Sequence, residues 1–241
     1  MTLDELRQAL EEAATPEGAD WLRETEAAVA ADPTAVRARF PAVGRKVGRG
    51  TLDPDADHDD VHAWTVDDAG RVLILAAMGE AAEAELAELY RFGDTAERRG
   101  LLRALPYLPL GDRGRGLVDD AVRTNDTRLV AAALGPYATE HLDDAAYDQA
   151  VLKCVFIGVP IAPLDGLPGR ATPETARMLA AFVHERVAAG RDIPAEVWDV
   201  IDRHPPEQEL ALIESERQSP FEDRRAAAER ALRDHHQGGV A

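Results

Sequence analysis

The chain has 241 residues, of which 45% are apolar and 30% are charged, proportions typical of a folded globular protein. Its 45 Asp and Glu residues outnumber its 27 Lys and Arg residues, which gives a formal net charge of -18. A surface of that sign repels nucleic-acid phosphates and anionic membrane surfaces, so we expect neither as a general partner. Aromatic residues make up only 5%, and the abundance of alanine favours closely packed helices.

The single cysteine, Cys154, excludes an internal disulfide framework and a cysteine-rich zinc site. It lies in the apolar run 151–157, where we expect a small buried hydrophobic residue rather than a nucleophile. The first residues lack the basic start and apolar core of a secretory signal. No apolar run approaches the roughly 20 residues that span a bilayer. We therefore expect a cytoplasmic protein without membrane insertion.

Hydrophobic periodicity predicts an all-α protein. Amphipathic helices are predicted at 2–14 and 18–31, within an N-terminal segment 1–40. Glycine and proline punctuate residues 41–66, which we interpret as a surface loop or linker before a helical body at 67–241. Helices in that body are predicted near 72–78, 80–91, 94–105, 112–124, 126–134, 143–157 and 173–189. Short helices at this spacing favour stacked antiparallel pairs, in a HEAT-like or irregular α-solenoid or bundle.

Several helix ends carry local signals. Asp94 with Glu97 has the spacing of a capping box, in which each side chain bonds the other residue's backbone N–H. Thr172 precedes a proline at the first helical position, and Gly190 follows the end of the same predicted helix. Ile193-Pro194 and Ser219-Pro220 predict two further helix starts.

Two segments of the predicted linker invite functional hypotheses. The basic, glycine-rich run 44–50 lacks the Gly-Lys-Ser/Thr of a phosphate-binding loop, so we expect a solvated loop, with contact to a phosphorylated ligand as the alternative. The acidic run 53–60 contains His58 and is followed by His62, but it matches neither a calcium loop nor a zinc-protease motif. We expect a solvated acidic linker rather than a metal site, with adventitious binding of a divalent cation as the alternative. His235-His236 is a weaker metal candidate still.

Lys153 is the most informative single residue. The predicted helix around it is apolar nearly all round, so we expect the lysine to be buried on one face with Gln149. A buried ammonium needs a partner. That partner is Asp126 or Asp148 if the lysine braces helix packing. Alternatively, Lys153 lies at the floor of a pocket and binds an anionic or carbonyl-bearing substrate, as a candidate catalytic residue.

Residues 124–126 form a polar junction between two apolar helical runs. Asn125 or Asp126 is expected first of all as a helix N-cap. With Arg103, Arg123 and Lys153, however, the junction could place polar groups at one end of a helical groove, where arginines recognise carboxylates or phosphates.

Arginines are concentrated in a short part of this acidic chain. The group, which we expect to pair at the surface with acids such as Glu97 and Asp112, consists of Arg98, Arg99, Arg103, Arg113 and Arg115. The alternative is a patch that binds an anionic ligand or partner.

A series of motifs between about residues 98 and 201 is similar to a known family. In chain order these are LLRAL at 101–105, AVRTND at 121–126, PY at 136–137, YDQAVLKCVF at 147–156, Gly166-Leu167 with Arg170, ARML at 176–179, ER at 185–186 and VW at 197–198. Through these motifs the chain resembles the EboA family, which consists of small helical proteins encoded in ebo-type biosynthetic gene clusters. Lys153 matches the family pattern. The resemblance implies a pathway to a small natural-product precursor, with proteins like sugar-phosphate cyclases, prenyltransferases and isomerases.

Two functional hypotheses follow. In the first, the chain is a noncatalytic accessory protein, without a cofactor, that binds a pathway enzyme or a small-molecule intermediate. In the second, it is an enzyme whose helical active site uses Lys153, with Arg103 and Asn125 positioning the substrate. Convergence of those three residues on one cavity would favour the enzyme.

Overall fold

The protein is described from a computed structural model over residues 1–57 and 59–238, with side chains through residue 235. The chain divides into two compact units, Met1–His141 and Leu142–Ala241. Across the described residues the regular structure is helical, and the only β-type pairing is one isolated antiparallel bridge, Thr51 to Thr65. The predicted all-α class is thus confirmed, whereas the HEAT-like arrangement of the helices stays a prediction.

The helices of the first unit are α1 (Leu3–Ala13), α2 (Pro16–Ala31), α3 (Val36–Arg39), α4 (Val43–Lys46), α5 (Val66–Met78), α6 (Glu83–Phe92), α7 (Thr95–Ala104), α8 (Arg115–Arg123), α9 (Thr127–Ala133) and α10 (Pro136–His141). Those of the second unit are α11 (Asp144–Ile157), α12 (Leu167–Arg170), α13 (Pro173–Ala188), α14 (Val197–Ile201), α15 (Glu207–Ser215) and α16 (Glu222–Gly238). Short 3-10 turns join them at Pro33–Ala35, Phe40–Ala42, Gly79–Ala82, Leu105–Tyr107, Gly111–Gly114 and Glu216–Gln218.

Helix α5 is the centre of the first unit and packs against α1, α2, α4 and α7. Eleven of its 13 residues are buried, so it has no solvent face to hold charged side chains. Its start is fixed by a capping box between Thr65 and Asp68. Gly70 lets α4 approach closely, because a side-chain carbon there would lie 2.9 Å from a methyl group of Val43.

The predicted linker at 41–66 differs from a plain surface loop in its first half. Val43–Lys46 forms helix α4, and Val43, Val47 and Leu52 are buried. Together with Phe40, these residues place apolar side chains inward at intervals of three, four and five positions, which anchors the segment in the core. The described residues between positions 50 and 65 form a loop, but they belong to the first unit.

Helix α13 is the centre of the second unit and packs against α11, α14, α15 and α16. Thr172 caps it and Gly190 lies beyond its end with φ +69°, as predicted. The buried carboxylate of Asp148 on α11 accepts hydrogen bonds from the hydroxyls of Thr172 and Thr175. The helices expected at the two later prolines begin further along the chain, at Val197 and Glu222.

Candidate functional site

The first unit contains an open cleft with a volume of about 720 Å³, within the range of small-molecule sites. One wall comes from α1 and the other from the loop 51–64. Apolar side chains supply much of the lining: Met1, Ala9, Ala13, Leu52, Pro54, Ala56, Ala63 and Trp64. The ionisable side chains that line it are Glu12, Asp53, Asp60 and His62.

The loop that forms the second wall is closed at its base. Leu52 N–H donates to the Trp64 carbonyl at 2.7 Å, and Val66 N–H donates to the Gly50 carbonyl at 2.9 Å. Inside the loop, side chains of Asp53 and Asp60 accept from backbone N–H groups two residues further on, at 2.9 and 2.8 Å. These aspartates therefore build turns that fix the shape of the loop.

Arg103 of α7 contacts the backbone and the indole of this second wall on the side away from the cleft. Its Nη2 donates to the carbonyls of His62 and Ala63 at 3.1 and 2.9 Å, and its guanidinium lies 4.6 Å from the ring centroid of Trp64. Arg99, one helical turn earlier, donates to the Thr65 hydroxyl at 2.9 Å. Two arginines of α7 thus position residues 62–65, which carry the indole that lines the cleft.

Both arginines belong to a buried cluster between α5 and α7. Asp68 is completely buried; Arg99 Nε lies 2.9 Å from each of its oxygens, and Arg103 Nη1 lies 3.2 Å from Oδ2. Arg71 pairs with Asp67 in the same interior. Burial lowers the pKa of Arg103 from its usual value, and the charge of Asp68 opposes that shift.

Of the predicted site residues, Arg103 therefore has partners inside the protein and does not line the cleft. Asp126 is the N-cap of α9, where Oδ1 accepts from the N–H groups of Arg128 and Leu129 at 3.0 Å, so the capping prediction is confirmed. Arg123 and Asn125 are exposed. Direct ligand contacts by these residues stay predictions.

Lys153 and Gln149 lie in the second unit, on α11. The predicted burial of the lysine is wrong: Lys153 is partly exposed, Gln149 is exposed, and Phe156 on the same face is 75% exposed. The helix buries its opposite face against α13, so its apolar composition did not mean burial all round. Asp148, one suggested partner, is engaged by the two threonines that begin α13. A catalytic role for Lys153 stays a prediction.

Cys154 is buried, as predicted, and desolvation raises the pKa of its thiol to about 12. Its neutral thiol packs as a hydrophobic residue, because burial and the charge of Glu196 both disfavour the thiolate that a nucleophile requires.

The predicted arginine patch separates into different environments. Arg99 and Arg103 are buried in ion pairs with Asp68, contrary to the expectation of surface pairing. Arg113 does pair at the surface, but its partner is Glu83, at 2.6 Å. Arg98 donates to the carbonyls of Gly93 and Arg91. Much of this positive charge therefore serves internal structure.

Of the histidines that the sequence singled out, His58 lies outside the described residues, and the side chain of His236 lies beyond the last described side chain, at residue 235. Within the described part of the chain, no group of three or more His, Cys, Asp or Glu side chains is arranged to hold a metal ion. No described helix is long and apolar enough to cross a membrane.

Sequence reasoning missed the cleft itself. Trp64 and Leu52 carried no motif, and the acidic loop was interpreted as a solvated linker. The sequence pattern that could have predicted this wall is a leucine, Leu52, and a tryptophan, Trp64, at the two ends of an acidic segment rich in turn-forming residues. That pattern is typical of a loop closed on itself and anchored at its base.

A family model described as metabolite traffic protein EboA matches residues 2–202. The match includes α1 and the loop that form the cleft, and so extends well beyond the motifs at 98–201. Neither the curated proteins nor the solved structures contain a significant match to the chain. Since the family model covers most of the sequence, the chain belongs to the EboA family.

Proposed function

We propose that this protein is a noncatalytic accessory protein of small-molecule metabolism that binds its metabolite in the cleft between α1 and the loop 51–64. The observation that carries the proposal is the cleft of about 720 Å³, bounded by an indole and apolar side chains. A family described by metabolite traffic fits a protein that holds a small molecule without transforming it. A cytoplasmic location and delivery to a pathway enzyme are part of the same proposal.

The architecture supports binding by a preformed site. The base of the loop is closed by backbone hydrogen bonds, and Arg103 fixes the segment that carries Trp64. A wall that is already ordered loses little conformational entropy when a ligand binds. We therefore expect ligand binding to leave the backbone of this unit largely unchanged.

Metabolite capture tests the proposal. The full chain is incubated with a small-molecule extract of its source organism, and retained compounds are identified by mass spectrometry after gel filtration. We expect a compound that is retained by the wild type and lost in Trp64→Ala. Trp21→Ala provides a matched control, because Trp21 is a partly exposed indole on α2 that does not line the cleft.

A second variant guards against a folding defect in Trp64→Ala. Ala13→Phe places a ring in the cleft from an exposed position on α1, and Ala27→Phe places the same ring on an exposed position of α2 outside it. Retention should fall in the first variant and persist in the second. Absence of any retained compound, or equal retention by both alanine-to-phenylalanine variants, would refute binding in the cleft.

A further inference from the structure

We infer that the cleft selects a cation: a ligand that joins an ammonium group to an apolar body. This inference rests on the proposed function and specifies the ligand class for the same site. Three carboxylates line the cleft, from Glu12, Asp53 and Asp60, and the described lining residues include no lysine or arginine side chain. Met1 also lines the cleft and carries the ammonium of the amino terminus, so the carboxylates outnumber this cation by three to one. A cleft in which one sign of charge predominates concentrates ligands of the opposite sign.

Backbone N–H groups position the loop carboxylates, and the charge of Arg103 interacts with Asp60 from behind the cleft wall. Oδ1 of Asp53 and Oδ1 of Asp60 each accept a backbone N–H of their own turn, from Asp55 and His62. A neutral N–H donor fixes the position of a carboxylate but adds no opposite charge. Both negative charges are therefore placed at one wall of the cleft.

The end of α1 adds to the same field. Glu12 and Ala13 occupy its last turn, which contains no basic residue, and both line the cleft. The C-terminus of a helix carries partial negative charge from its unpaired carbonyls, and this favours a nearby cation. Carboxylates thus line the cleft from both walls.

The buried arginine behind the indole already has partners inside the protein. Arg103 lies behind Trp64, and its guanidinium contacts Asp68 and the carbonyls of His62 and Ala63. An anionic ligand in the cleft would face three carboxylates and gain no arginine contact across the indole. The anionic substrate expected from the arginines of the sequence does not fit this cleft.

Three probes with a phenylethyl body separate charge from shape: 2-phenylethylamine, 2-phenylethanol and 3-phenylpropionate. Their affinities for the full chain are measured at low salt by isothermal titration calorimetry. We expect the amine to bind at least about tenfold more tightly than the carboxylate, equivalent to about 1.4 kcal/mol, with the alcohol between them. High salt should reduce the preference for the amine, because exposed charges are screened.

Charge-removing variants assign the preference to the cleft. Glu12→Gln and Asp60→Asn should each weaken binding of the amine and leave the alcohol unchanged, because both keep the side-chain shape. Glu11→Gln is the matched control, since Glu11 is exposed on the same helix and does not line the cleft. An equal effect of Glu11→Gln would show a general surface field and would overturn the assignment.

The results distinguish this inference from the proposed function. Equal affinity of the amine and the carboxylate, or no binding of the amine, overturns cation selection even when metabolite capture depends on the cleft. A captured metabolite that is anionic overturns it as well. Failure of capture alone refutes the physiological role, whereas the order of the three affinities still measures the selectivity of the cleft.

Discussion

Replacing Asp68 with asparagine should destabilise the first unit by about 3–5 kcal/mol, the typical cost of breaking a buried ion pair from one side. Asp68 is completely buried between Arg99 and Arg103, with contacts of 2.9 and 3.2 Å. Asparagine keeps the volume and one acceptor oxygen, so the principal loss is the negative charge. Three buried arginines would then face one remaining buried carboxylate, that of Asp67.

The matched control is Asp20→Asn. Asp20 also pairs with an arginine, Arg23, but both side chains are more than 60% exposed. An exposed pair of this kind contributes about 0–1 kcal/mol, because water screens the charges and holding both side chains loses entropy. The two substitutions are chemically identical and differ in the burial of the pair.

Urea unfolding, monitored by tryptophan fluorescence, measures the effect. A Trp198→Phe background leaves Trp21 and Trp64, which both report on the first unit. This choice matters because a chain with two units need not unfold in one step. A loss below about 1 kcal/mol for Asp68→Asn, equal to that of Asp20→Asn, would refute the view that the buried cluster holds α7 against α5.

Three further predictions concern individual residues. Gly100→Ala should lower the free energy of unfolding in urea by about 1–3 kcal/mol, because the new side-chain carbon would lie 2.7 Å from Cδ of buried Arg71. Gly116→Ala is the control and should not destabilise the protein, because its new carbon would meet no atom within 4 Å. Equal effects of the two substitutions would contradict the packing argument. Asp126→Ala should cost about 1 kcal/mol by removing the α9 cap, and an unchanged midpoint would refute that role. Cys154 should react with Ellman's reagent at pH 8 only after unfolding, and rapid labelling of the native protein would contradict its burial. Because folding raises the pKa of its thiol from 9.0 to about 12, the free energy of unfolding should fall as the pH rises from 9 towards 12.

Features that depend on neighbouring residues were predictable from the sequence. The capping box at Asp94, the helix start after Thr172 and the helical class were predicted correctly, because a helix start is decided within about four residues. The burial of Lys153 was predicted wrongly, because apolar composition does not show which face of α11 has a partner. Phe156 on that face is exposed, which is unremarkable for a single apolar residue on a protein surface.

The arginines of α7 could not be assigned from local sequence for a different reason. Arg99 and its partner Asp68 are 31 residues apart, and Arg103 contacts a carbonyl 41 residues away. Local charge density suggested surface pairs or an anion site, since it contains no information about such distant partners. The decisive fact is that α5 is buried on every side while carrying two aspartates in its first turn.

Those two aspartates connect the composition of the chain with the chemistry of its cleft. Buried carboxylates need cationic partners. Arg99 and Arg103 of α7 are therefore buried as the partners of Asp68. Because these two arginines are buried in pairs with Asp68, they do not line the cleft. The carboxylates of α1 and of the loop 51–64 do line it. Arg103 thus acts on the cleft through the position of Trp64 rather than through its own charge. This explains why an arginine-rich helix lies directly behind a site that is expected to prefer cations.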